Sequence, residues 1–182
     1  MEHTKIVTAA DLESYADTRD SEAVIPELVY MLVNACPGLI VCRIPYGDNV
    51  NQPGMDGRVE IENGFKQFVP KKNSVWEIGT GRDPQDMATR YFKKRTDEMS
   101  AEERTATAFV FVTPRSSGSG GWPEPQQADW LNKRSGSGWR EVKIIDGIEQ
   151  RGFPRFAASM RELAEYYERD AECEAGRDPY GD

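Results

Sequence analysis

Histidine is almost missing from this 182-residue chain: His3, close to the first residue, is the only one. That argues against Ser-His-Asp and Cys-His catalysis and against histidine-based metal triads. Cysteine is nearly as scarce. Cys36, Cys42 and Cys173 are widely spaced and form no CxxC pair. A thiolate zinc site needs about four ligands, usually in close pairs, so it is not expected here. An odd cysteine count without a signal peptide points to a reducing cytoplasm. No apolar run approaches the roughly 20 residues that span a bilayer, so a membrane is not an expected partner. If the chain performs metal chemistry, carboxylate oxygens are its ligands, and Mg²⁺ or Mn²⁺ is the matching cofactor.

Positive charge is also in deficit: 23 Lys and Arg stand against 31 Asp and Glu, a formal net charge of -8. Nucleic-acid affinity normally rests on basic residues that displace counterions. Distribution matters more than the sum, however. Acids crowd into Asp11 to Glu27 and Glu162 to Asp182, while the middle holds Lys71-Lys72, Arg82, Arg90 and Lys93-Lys94-Arg95. Two readings follow: a basic face inside an acidic shell, or ordinary solvated charge.

The length suits one domain with a single core. Residues 1–20 are polar and read as a loose arm or a short leading helix. Val24, Leu28, Met31 or Leu32 and Ala35 recur at helical spacing, with Pro26 fitting a first turn and Pro37-Gly38 ending the helix. Leu39 to Ile44 is a short β-rich run, and Pro45 to Gly54 a loop. Arg58 to Glu62 alternates apolar and charged residues, and Asn63-Gly64 is a hairpin turn signal that sends Phe65 to Val69 back. Val75 to Gly79 reads as a further strand. Asp83-Pro84 starts a helix that runs to about Glu98. Thr107 to Thr113 is an almost unbroken apolar strand, expected to be central and buried on both faces. A Ser/Gly-rich stretch, a short amphipathic piece around Asp129 to Lys133, a strand from Trp139 to Ile145 and a helix from Phe156 to Tyr167 complete the domain, 21–168. A polar tail or linker, 169–182, follows. The order αβββαβ, then βα, predicts an α/β (α+β) three-layer domain: a mixed sheet of about four to five strands flanked by helices.

Two acids stand out. Asp56 lies in Pro53-Gly54-Met55-Asp56-Gly57, beside one strand, and Glu77 lies in Ser74-Val75-Trp76-Glu77-Ile78-Gly79-Thr80, within another. Neighbouring strands lie about 5 Å apart, so acids at matched depth can share a hard divalent cation. Such a cation can position a water and neutralise charge developing on a phosphodiester. Glu27, on the first strong helix, is placed to act as a further metal ligand. Each residue has a plainer reading as well: Met-Asp-Gly is a common turn composition, Glu27 suits a helix first turn, and Lys93-Lys94-Arg95 suits a solvated helix face. Glu77, in an apolar strand, is the hardest to explain without a function. Trp76, Trp122, Trp130 and Trp139 read as core more readily than as base-stacking platforms.

The succession αβββαβ, with Asp56 and then Glu77 on the following strand, resembles the PD-(D/E)xK nuclease superfamily, which includes restriction endonucleases. Pro26-Glu27-Leu28-Val29, Gly54-Met55-Asp56-Gly57, Phe68-Val69-Pro70, Ser74 to Thr80, Tyr91 to Thr96 and Phe109 to Pro114 resemble a domain of bacterial proteins that in some cases precedes a large NTPase region, a layout similar to antiphage defence systems. The resemblance covers about residues 22–146. It implies a restriction-endonuclease-like core, a Mg²⁺-dependent endonuclease acting on DNA, and a possible homo-oligomer or an attached NTPase or sensor region. One departure is important. The superfamily's lysine, two residues after the glutamate, is Gly79 here. Arg82, Lys93 and Lys94 are the candidate catalytic replacements, with Lys66 on the returning hairpin arm another. Without a replacement, the same fold serves as an inactive nucleic-acid- or protein-binding module, or as an assembly or sensor domain.

Overall fold

The computed structural model describes residues 9–18, 20–46, 57–116, 121–150 and Ser159. Along the chain run α1 (Ala9–Ala16), α2 (Ser21–Asn34), β1 (Leu39–Arg43), β2 (Gly57–Ile61), β3 (Lys72–Ile78), α3 (Pro84–Glu98), α4 (Ala101–Ala106), β4 (Thr107–Val112), α5 (Glu124–Asn132), β5 (Glu141–Ile145) and α6 (Gly147–Gln150). The five strands form one sheet in the order β1-β2-β3-β4-β5. The first three make an antiparallel meander, whereas β3, β4 and β5 run parallel, joined through α3 and α4 and then through α5. Parallel neighbours need a crossover longer than a tight turn, and the helices provide it. The mixed sheet flanked by helices is the three-layer α/β arrangement the element order predicts.

Strand alternation divides the interior in two. On one face, Trp76 and Ile78 of β3, Val110 and Val112 of β4, and Val59 and Ile61 of β2 pack against Ile25, Leu28, Leu32 and Val33 of α2. On the other, Val75, Phe109, Phe111 and Ile144 pack against Ala88 and Phe92 of α3 and Trp130 of α5. Every residue of β4 is buried, as its apolar run predicts for a strand covered on both sides. All four tryptophans are core residues. Trp130 and Trp139 each meet Phe92 within ring-contact range, and Trp122 meets Trp130 edge-on.

Local chemistry explains the element ends. Asp83 caps α3 by accepting from the Asp86 amide, and Pro84 opens the helix where its missing N–H is harmless. Ser100 and Glu103 form a reciprocal capping box that starts α4. Helix α2 begins five residues before Pro26, so the proline lies inside the helix rather than in its first turn. One backbone bond is lost there, and burial of Val24, Ile25 and Pro26 itself offsets it.

The hairpin differs from expectation. Phe65 to Val69 is not the returning arm; it closes on itself, with reciprocal backbone bonds between Phe65 and Val69. Gly64 and Lys66 both have positive φ, and the turn carries Phe68 and Val69 into the core, with the Phe65 and Phe68 rings 6.3 Å apart. The strand that returns along β2 is β3, with Gly57 opposite Trp76 and Ile61 opposite Lys72. The expected helix from Phe156 to Tyr167 and the tail 169–182 lie outside the described residues, except that Ser159 is helical and buried.

Candidate functional site

Glu77 sits in the buried half of β3, opposite Phe111 of β4, and is only 1% exposed. A carboxylate at that depth is costly unless it is paired. Its partner is Arg95 of α3, itself 3% exposed, whose Nε donates to Glu77 Oε1. The same guanidinium donates through Nη1 to Glu98, one helical turn further on and half-exposed. These two carboxylates hold Arg95 in its charged form, their pull outweighing the effect of burial. The site is thus a line of charge, Glu77–Arg95–Glu98, running from the sheet interior to the surface.

The other basic candidates lie elsewhere. Lys93 faces outward and pairs with Asp97 on its own helix. Lys94 is exposed. Arg82 is exposed beyond the end of β3 and lies 3.5 Å from Asp17. Lys66 sits on the turn before β3, with its ammonium 5.3 Å from the Phe65 ring centre. Glu27 is on α2, which packs on the sheet face opposite the one Glu77 occupies. Asp56 lies outside the described residues. Its sequence neighbour Gly57 is the cross-strand partner of Trp76, the residue before Glu77.

Two arginines matter here that no local pattern singled out. Arg95 was one member of a three-residue basic run; the signal that separates it is the buried stripe Pro84, Ala88, Arg95, which follows helical spacing. Arg115 follows β4 and is 5% exposed. Its Nε donates to the carbonyls of Thr80 (3.1 Å) and Gly81 (2.6 Å), and its Nη2 to Asp17 (3.0 Å). It therefore fastens the exit of β3 to the end of α1. Asp17, Ser21, Thr80, Gly81, Arg82 and Arg115 line a cleft of about 410 Å³ at the C-terminal ends of β3 and β4.

Gly79, two residues after Glu77, is a packing position. A Cβ there would lie 2.9 Å from Phe111 Cζ and 3.0 Å from Met87 Cε, and one at Gly81 would lie 2.6 Å from Met87 Sδ. Met87 and Phe111 occupy the space beside these two glycines. Among the described residues no group of three or more His, Cys, Asp or Glu is placed to hold a metal ion. No helix among them is long and apolar enough to cross a membrane. Comparison of the chain with known protein families, curated proteins and solved structures finds no match.

Proposed function

We propose that the chain is a metal-dependent nuclease of the PD-(D/E)xK type acting on DNA. One observation carries this reading: Glu77 is a carboxylate buried to 1% exposure in an apolar strand, directly after the residue that pairs with Asp56's neighbour Gly57. Burying an acid that deeply without a role is expensive. The donor set fits a hard cation, since Glu77 and Asp56 offer oxygen only and the chain's one histidine lies at position 3. Asp56 and Glu77 would hold Mg²⁺ or Mn²⁺, which supplies an activated water and neutralises phosphate charge.

Arg95 takes the part of the missing lysine in this scheme, in preference to Lys93, Lys94 or Arg82. It already lies against Glu77. Glu77 would then share its carboxylate between Arg95 and a bound cation, and Glu98 keeps the guanidinium in place. Arg95 can then donate to a phosphate oxygen and stabilise the negative charge that builds up during cleavage. An attached NTPase or sensor region, or self-assembly, would supply regulation.

A cleavage assay on supercoiled plasmid, linear duplex, single-stranded DNA and RNA tests this, with Mg²⁺, Mn²⁺ or EDTA. Asp56→Ala and Glu77→Gln are expected to abolish metal-dependent cutting, and the glutamine keeps an acceptor for Arg95. Activity retained in both variants overturns the assignment. A second reading, a non-catalytic binding module, is favoured by the same ion pair, because Arg95 already satisfies Glu77. It requires that no metal-dependent cutting occur even when the chain is forced into dimers or tetramers through a fused tag.

A further inference from the structure

The sheet face that carries Glu77 is covered by α3 and α5 only over β3, β4 and β5. Over β1 and β2 the same face bears Arg43 and Arg58, which are direct cross-strand partners and are both exposed. Paired residues in an antiparallel ladder project to the same side about 5 Å apart, and like charges so placed repel. Among the described residues neither arginine forms an ion pair. The acids that share their surroundings sit to one side. Glu60 occupies the next rung, between Val41 and Asn73, and Glu103 of α4 feels the field of Arg58. Toward the opposite end of the strands, Arg58 is opposite Val75, two residues before Glu77 on the same face. The arginine rung therefore stands one pleat, about 7 Å, from the Glu77 rung.

We propose that Arg43 and Arg58 form a two-arginine clamp for a nucleic-acid backbone phosphate next to the one presented at Glu77. This inference rests on the nuclease reading. A phosphodiester offers what the rung lacks: one anionic group with several acceptor oxygens, able to accept from two guanidiniums at once. The pleat separating the rung from Glu77 is close to one internucleotide step, so a strand gripped there is in line to place its neighbouring phosphate at the buried acid. The repulsion between the two arginines is tolerated in the free protein and relieved on binding.

The experiment uses the full chain in EDTA, so that binding is read without cleavage. Fluorescence anisotropy of labelled duplex DNA, single-stranded DNA and RNA is followed from about 50 to about 200 mM KCl. The variants are Arg43→Ala, Arg58→Ala, the double variant, and Lys133→Ala as a control just past the end of α5, where Lys133 pairs with Asp129. The double variant is expected to bind roughly tenfold or more weakly at low salt, with a salt slope reduced by about 2. Its melting temperature is expected to equal or exceed that of the parent, since a like-charge contact is gone. Unchanged affinity and slope overturn the clamp, as does a parent that binds none of the three nucleic acids. Binding lost in the double variant, in a parent that never cuts, supports the clamp and removes the nuclease reading. Cutting by a parent whose double variant binds normally does the reverse.

Discussion

Arg95 reaches from the last turn of α3 to Glu77 in β3 and donates through Nε to a carboxylate that has almost no contact with solvent. Removing the arginine alone takes a charged partner away from a buried carboxylate. Arg95→Ala is therefore expected to lower stability by about 3–5 kcal/mol, read as a shift in the denaturant midpoint. Replacing both partners, Glu77→Met with Arg95→Met, is expected to recover most of that loss while cleavage stays absent. A double variant as unstable as the single one would show that the pair organises the core beyond its charge.

Under the nuclease proposal, a lysine placed at position 79 should not give a better enzyme. Gly79→Lys drives a Cβ toward Phe111 and Met87 at 2.9 and 3.0 Å. Overpacking of that kind costs about 1–3 kcal/mol. The variant is expected to melt at a lower temperature with no gain in cleavage rate. Trimming the neighbour, as in Gly79→Ala with Met87→Ala, should return part of the stability relative to Gly79→Ala alone. Thermal melts and a plasmid assay on the same preparations check both.

Acid should loosen α1 before the rest. The hydrogen bond from Arg115, helped by Arg82, holds the Asp17 carboxyl below the usual carboxylate range. A carboxyl whose folded value is depressed contributes stability above its unfolded value, near pH 4, and that contribution is lost as pH falls through the lower, folded value. Protection of the amides in Ala9–Ala16, measured against the intrinsic exchange rate at each pH, should fall as the solution is acidified through that window. Asp17→Asn should remove this acid-side dependence and exchange faster at neutral pH. Exchange that is indifferent to the substitution would place the anchoring of α1 elsewhere.

Neither described thiol should be reactive in the folded protein. Burial pushes Cys36 up to about 12 and Cys42 up to about 11. Little thiolate is present at pH 8, and the thiolate is the nucleophile. Modification by a disulfide reagent is expected to be slow at these two positions in native buffer and fast in guanidinium, with peptide mapping to locate the label.

What the chain discloses in advance is what short-range chemistry decides. Asp83-Pro84 announces the start of α3 because a cap and a proline act over one turn. The run from Thr107 announces a doubly covered strand because burial on both faces leaves no polar position. Asn63-Gly64 announces a turn, but the same signal cannot say which later segment pairs with β2. That choice belongs to the core, which takes Phe68 and Val69 and leaves the ladder to Lys72–Ile78. The site divides in the same way. Glu77 is conspicuous as an acid in an apolar strand. Arg95 hides among lysines, and only the docking of α3 on the sheet turns it inward while Lys93 and Lys94 face out. Arg43 and Arg58 are unremarkable apart, since their meeting depends on the register of two strands.

The register slips between Leu39 and Val41, and the residue skipped, Ile40, stands 59% exposed on the outermost strand. An irregular rim with a charged arginine at its far end is a poor template for another chain's backbone. Growth of the sheet by strand addition at β1 is discouraged, so the molecule can keep an apolar residue at its border without seeding fibrils. Assembly through this edge is disfavoured, and the exposed arginines beside it stay available to a ligand.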